Sequence, residues 1–273
     1  MKADSYNPQI KIFYQDSYNY DLAETIIQYF WANSKDEDYI FEAVKDDKSE
    51  VYRLKTPEDV YYLKHYQLQK FSKKFKNIFR KPEGVRHFKT ATKLSANNIP
   101  AVEPILGITR NRNLFVTDSL LVTREIKGMT LLEYANSEQK SDIRKIIITR
   151  LAKLWARLIN NKFWHKDPRL FNIMIKFAGD GFKLILVDID NIYSLPYFPH
   201  RLVLKNLTKL STDMLKDMTN SQAETLTINE RLLFFEKFAR AYKREVYFRK
   251  FINKINERVA KRLARKDYSE VTM

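Results

Sequence analysis

His165-Lys166-Asp167-Pro168-Arg169-Leu170-Phe171-Asn172 is the stretch on which the fold turns. In pattern form it is H-x-D-x-x-x-x-N, and its setting says more than its letters. Upstream, residues 139–160 carry Ile143, Ile146, Ile147, Leu151, Leu154, Trp155 and Leu158 at helical spacing, which predicts a long amphipathic helix. Downstream, Ile173 to Phe177 predicts a short strand and Gly179-Asp180-Gly181 a turn. Lys183 to Val187 then predicts a second strand, closed by Asp188-Ile189-Asp190. Such a hairpin brings Asn172 and Asp188 to neighbouring loop ends, close to Asp167.

These residue types suit phosphoryl transfer from ATP. A carboxylate orients the acceptor hydroxyl and takes its proton. An amide oxygen and a second carboxylate hold Mg²⁺ on the phosphates, and a lysine clamps the α- and β-phosphates. Asp167 is the candidate base, Asn172 and Asp188 are the candidate Mg²⁺ and nucleotide ligands, and Asp190 is a further candidate metal ligand. A surface loop with an Asp cap accounts for the octad, but not for an aspartate at the end of the next strand. His165 is grouped with Asp167 in the catalytic loop, where such a residue more often supports the loop by hydrogen bonding than acts on substrate.

Working back toward the N-terminus, residues 50–66 read EVYRLKTPEDVYYLKHY, and Thr56-Pro57-Glu58-Asp59 splits them into strand, turn and strand. A basic helix is expected over Val85 to Ala96, before Asn97-Asn98. Ile105 to Arg110 and Ser119 to Arg124 read as two more strands, joined by Arg110-Asn111-Arg112-Asn113. Residues 1–40 read as a mixed lead-in with one amphipathic helix, Asp21 to Trp31. Beyond the hairpin the chain is mainly helical, notably Asn229 to Arg265. Strands first and helices second predict an α+β chain of two lobes. Residues 1–124 form a small β-rich N-terminal lobe, lead-in included, and residues 125–273 a helical C-terminal lobe with the catalytic loop. Glu125 and Ile126 lie at the joint, where their backbone groups are placed to meet adenine. Lys64 and Lys55, one on each predicted strand of the 50–66 hairpin, are both candidates for the phosphate clamp, Lys64 being preferred.

The set YYLKHY (61–66), FKTATKLSANNIPAVEPI (88–105), LVTREIKGMTLLEYA (121–135), HKDPRLFNIMI (165–175) and LVDID (186–190) resembles the lipopolysaccharide core kinases, the Kdo and heptose kinase (WaaP-like) group. The likeness runs over about residues 45–215. It implies a protein-kinase-like fold and an ATP- and Mg²⁺-dependent kinase acting on a sugar hydroxyl, Kdo or heptose, of the lipopolysaccharide inner core. It also implies a D-x-D in place of the protein-kinase D-F-G, which Asp188-Ile189-Asp190 fits, and a phosphate-clamping role for Lys64. Arg201-Leu202-Val203-Leu204-Lys205-Asn206-Leu207 matches the basic-apolar segment such kinases carry after D-x-D. There are two departures. Residues 41–64 hold no glycine, so backbone amides near Asp47-Lys48-Ser49 stand in for a Gly-rich phosphate loop. And His87 occupies the place of the helix glutamate that orients the lysine, with Glu83 one turn earlier as the substitute. Aminoglycoside and choline kinases share the octad and the distal aspartate.

Composition bounds the alternatives. The chain has 273 residues, 44% of them hydrophobic, and no cysteine, which excludes disulfides, cysteine-ligated zinc and thiol nucleophiles. His65 and His200 lack any metal-ligand spacing. No run approaches the roughly 20 apolar residues of a membrane span, so the expectation is a cytoplasmic protein, peripheral at the inner face of the cytoplasmic membrane. The net charge of +16 favours anionic partners. It is concentrated at Lys70 to Lys93 and Lys237 to Lys266, with Phe71, Phe75, Phe79, Phe248 and Phe251 interleaved. The expected partners are the inner-core glycolipid and an anionic membrane surface, with no nucleic acid. Two other readings stay open: a small-molecule kinase of the aminoglycoside or choline type, and a non-catalytic kinase-fold module that binds anionic lipid or nucleic acid.

Overall fold

The computed structural model describes residues 1–32, 34, 38–44, 50–67, 82–112, 115–137, 141–179, 181–243 and 248–264. The chain divides into two compact units, residues 1–96 with 102–126 and residues 97–101 with 127–273. The architecture is α+β, with a β-rich first unit and a mainly helical second one.

The first unit is built on a seven-stranded antiparallel sheet. Its strands are β1 (Lys2–Asn7), β2 (Ile10–Tyr14), β3 (Ile40–Val44), β4 (Glu50–Lys55), β5 (Val60–Gln67), β6 (Pro104–Arg112) and β7 (Phe115–Arg124), in the order β1-β2-β6-β7-β5-β4-β3. The lead-in is thus part of the sheet, which the sequence reading did not foresee. Ile10 and Ile12 are buried and Lys11 is exposed, but this alternation is only three residues long, too short to stand out as a strand before its partner β6 is known. The helix expected over Asp21 to Trp31 is an α-helix, α1 (Tyr20–Ile27), capped by Asn19 and continued by a π-turn over Gln28–Ala32. Its Leu22, Ala23, Ile26 and Ile27 pack on Leu54, Leu63, Leu106, Ile108, Leu120 and Val122 of one sheet face. Helix α2 (Glu83–Ala96) lies against β6 and β7. It comes so close that a Cβ on Gly84 would stand 2.6 Å from the Leu120 carbonyl oxygen.

In the second unit, β8 (Met129–Thr130) and α3 (Leu131–Asn136) lead to α4 (Ser141–Asn160). Thr130 and Glu133 form a capping box that starts α3. Ile147, Leu151, Leu154, Trp155 and Leu158 of α4 are buried as their spacing implies, whereas Ile143 and Ile146 face solvent and Ile148 is buried instead. Then follow β9 (Phe163–His165), β10 (Ile173–Ala178), β11 (Gly181–Leu186) and β12 (Ile192–Ser194), and the helices α5 (His200–Asn220), α6 (Ile228–Ala241) and α7 (Phe248–Ala264). Helix α4 packs on α6, and α5 on α7. On α7, Phe251, Ile252, Ile255, Val259 and Leu263 are all buried. Phe251 stacks on Phe238, so of the two roles open to it, core or interfacial, it takes the core one. Of the other interleaved aromatics, Phe71, Phe75 and Phe79 lie outside the described residues, as does the side chain of Phe248.

Candidate active site

The antiparallel pair β10–β11 runs in unbroken register from Ala178↔Gly181 to Ile173↔Leu186. One rung further, Val187 N–H donates to the Asn172 carbonyl at 3.1 Å. Asn172 and Asp188 therefore sit side by side at the open end of one hairpin. Asn172 also closes the loop behind it. Its Nδ2 donates to the Asp167 carbonyl at 3.0 Å, its N–H to Arg169 O at 3.1 Å, and Arg169 N–H to Asp167 O at 2.9 Å. These bonds require the four-residue gap in D-x-x-x-x-N. With Nδ2 engaged by the Asp167 carbonyl, Oδ1 is the Asn172 atom left to serve as a metal ligand. Asp188 Oδ2 accepts from Asn191 Nδ2 at 3.0 Å. Asn191 O takes the Lys166 N–H at 2.7 Å, and β12 pairs with β9 through Ile192↔His165. The turn bearing Asp188 and Asp190 is thereby tied to the loop bearing Asp167. One amide oxygen and two carboxylates fit Mg²⁺ held largely by nucleotide phosphates, which asks for one or two protein carboxylates and not a closed cage. No group of three or more His, Cys, Asp or Glu among the described residues forms a cage.

A polar stripe on α5 carries this loop from below. Asn206 Nδ2 donates to His165 O at 3.0 Å, and Asn206 Oδ1 accepts from Trp155 Nε1 at 2.7 Å. Lys209 Nζ stands 3.5 Å from Asp167 Oδ1 and is ion-paired to Asp213. Asp217 takes the Leu170 N–H and the Arg169 guanidinium. Positions 206, 209, 213 and 217 repeat every three to four residues, so one helical face serves all of them. The sequence reading named Asn206 only within a basic-apolar segment and missed Lys209, Asp213 and Asp217. The available signal was the three- to four-residue spacing of Asn206, Lys209, Asp213 and Asp217 in one predicted helix.

His165 departs from expectation. It is 1% exposed, its ring lies nearly parallel to Trp155 at 5.6 Å, and neither ring nitrogen has a hydrogen-bond partner. Burial drops its pKa from 6.5 to about 4, against the pull of Asp188 and Asp167. The imidazole is neutral near pH 7 and 1% exposed. It supports the loop by packing and through its backbone, not by the expected side-chain hydrogen bond.

In the first unit, Lys64 pairs with Val51 and Leu121 across the sheet. Its neighbour Leu63 belongs to the α1-side core, so Lys64 projects on the opposite face, the one α2 covers. Lys55 is on the same face at the turn end of the hairpin, ion-paired to Glu42. Glu125 pairs with Arg53 at 2.8 Å, and its N–H donates to Val60 O at 2.9 Å. Only its carbonyl and the backbone of Ile126 remain as candidates for adenine. His87 is buried against Tyr66 at 5.4 Å. Glu83, the one carboxylate of α2, is in its first turn with a partly exposed side chain, 3.5 Å from Arg86. Asp47, Lys48 and Ser49 lie outside the described residues, as do residues 70–81 of the first basic run and 265–266 of the second.

An apolar cavity of about 70 Å³ lies within the second unit, bounded by Leu131, Ile147, Leu151, Leu210, Met214 and Phe234.

No family model matches the chain, and no curated protein matches it in sequence. Among solved structures, WaaP in complex with acyl carrier protein is similar over 96% of this chain and 99% of that one, with a TM-score of 0.64 and 12% identity. The kinase domain of Mycobacterium tuberculosis PknI, a double mutant, aligns over 82% of this chain and 96% of that one, with a TM-score of 0.44 and 14% identity. The likeness to WaaP shows that this chain has a protein-kinase-like fold.

Proposed function

We propose that the chain is an ATP-dependent kinase that phosphorylates a sugar hydroxyl, Kdo or heptose, of the lipopolysaccharide inner core. The observation that carries this reading is the set Asp167, Asn172 and Asp188, brought together by the hydrogen bonds of one loop and one hairpin. Bound Mg-ATP supplies the phosphoryl group and the charge that screens it. Asp167 orients the acceptor hydroxyl and takes its proton. Asn172 and Asp188, with Asp190, hold the metal, and Lys64 holds the α- and β-phosphates. Glu125 and Ile126 offer backbone groups to adenine. The lipopolysaccharide role rests on the sequence resemblance. The charge of +16 is consistent with an anionic glycolipid presented at a membrane face. No helix among the described residues is long and apolar enough to cross a membrane. The reading is tested by ATP consumption on deacylated inner-core oligosaccharides with and without each sugar. Turnover that needs one Kdo or heptose supports it. Turnover on aminoglycosides or choline alone favours the small-molecule reading, and none on any acceptor favours a binding module.

A carrier-protein partner is a second proposal, since WaaP was solved with acyl carrier protein. A complex with acyl carrier protein in gel filtration is the expected result.

A further inference from the structure

We propose that Lys209 is a further catalytic group, whose ammonium binds the phosphoryl group as it passes to the acceptor hydroxyl. This rests on the reading of Asp167 as the base. Lys209 Nζ is 3.5 Å from Asp167 Oδ1, and its side chain is only 22% exposed. Asp213, one turn further along α5 and 7% exposed, is ion-paired to it. Asp213 also faces Arg262 of α7 at 3.9 Å. The lysine head is therefore held at the loop instead of moving in solvent.

Charge neutralisation of Asp213 alone would not require Lys209 to reach Asp167. Arg169, the cation two residues beyond Asp167 in the chain, is directed elsewhere. Its guanidinium binds the buried Asp217 and lies over the Phe171 ring, 5.2 Å from its centroid. Lys209 supplies at Asp167 the positive charge that Arg169 does not.

A base takes a proton from an oxygen within about 2.6–3.2 Å. The acceptor oxygen beside Asp167 Oδ1 is thus at most about 7 Å from Lys209 Nζ. In the transfer, the bond from the γ-phosphorus to the β,γ-bridging oxygen breaks and its electron pair leaves with ADP. A bond forms from the acceptor oxygen to phosphorus, and the hydroxyl proton goes to Asp167. Negative charge on the moving group is then within reach of a fixed ammonium, where such a cation acts most strongly.

The test is steady-state turnover of Mg-ATP with deacylated inner-core oligosaccharide. The variants are Lys209→Met, Lys209→Arg, Asp167→Asn and, as a control on an exposed face of α4, Lys153→Met. Lys209→Met should lower kcat about 10²- to 10³-fold, while KM for ATP changes less than about threefold. Lys209→Arg should recover at least about tenfold of that loss, and Lys153→Met should match wild type. If Lys209→Met does not fold, Lys209→Gln is read in its place. A kcat within about threefold of wild type, or an arginine variant no better than methionine, overturns the role of Lys209 and leaves the kinase reading standing. A wild type that turns over no ATP, or an Asp167→Asn variant as active as wild type, overturns both.

Discussion

Asp217 Oδ2 accepts the Leu170 N–H at 2.8 Å while Asp217 Oδ1 meets the Arg169 guanidinium at 2.5 Å, so one buried carboxylate on α5 holds two successive residues of the candidate catalytic loop. Burial pushes its pKa above the ordinary carboxylate value, and the Leu170 N–H and Arg169 oppose that push. Asp217→Ala leaves a buried N–H and a guanidinium without their acceptor. The expected loss is about 3 kcal/mol, read as a lower urea midpoint at unchanged m. A loss under about 1 kcal/mol would mean that the loop holds itself in place.

The buried His165 makes stability pH-dependent in a stated direction. Its folded pKa, about 4, lies below the unfolded value of 6.5. Between those values the unfolded chain binds the proton and the folded chain does not. Stability is complete above about pH 6.5 and is lost as pH falls toward 4, by about 3 kcal/mol. His165→Phe keeps the stacking on Trp155 and should flatten that slope. Equal slopes in the two proteins, from denaturation curves at pH 5 and pH 7, would place the dependence on other groups.

Asp188→Ala should abolish Mg²⁺-dependent ATP binding and phosphoryl transfer while the fold survives, because a lost metal ligand costs several kcal/mol. Circular dichroism and nucleotide titration on the same sample separate the two effects. Activity above about a tenth of wild type rejects Asp188 as a ligand.

Lys64→Ala should reduce turnover far more than Lys55→Ala. Lys55 is at the turn end of its hairpin and already paired to Glu42. Glu83→Gln should change kcat little, since the Glu83 side chain is partly exposed and paired to Arg86 in the first turn of α2. Parallel kinetics on the three variants decide this. A larger loss at Lys55 reassigns the phosphate clamp.

Helix α7 has its apolar side in the core and exposes Arg249, Lys250, Lys254 and Lys261. Any membrane contact it makes is electrostatic, at about 1 kcal/mol per basic residue. Co-sedimentation with anionic vesicles should therefore fall steeply with salt and be absent with neutral ones. Binding that persists at high salt, or that nucleic acid outcompetes, counts against this reading.

Local sequence determined the elements whose residues serve a single periodic pattern. The hairpin 173–187, the strand pair around Thr56 to Asp59 and the helix ending at Asn160 are legible because side-chain alternation and turn chemistry are short-range properties. The spacing from Asp167 to Asn172 carried the candidate site for the same reason: a five-residue separation closes one turn with its own hydrogen bonds. What tertiary structure alone decided lies far apart in the chain. Strands β1 and β2 read as a lead-in until β6, about 95 residues away in sequence, supplies the ladder that makes them sheet. His165 reads as a polar group of the catalytic loop until Trp155 and the core around it remove it from water. And nothing local marks Lys209, Asp213 and Asp217 until packing turns that face of α5 under the loop, where the loss of water makes each of them need a partner.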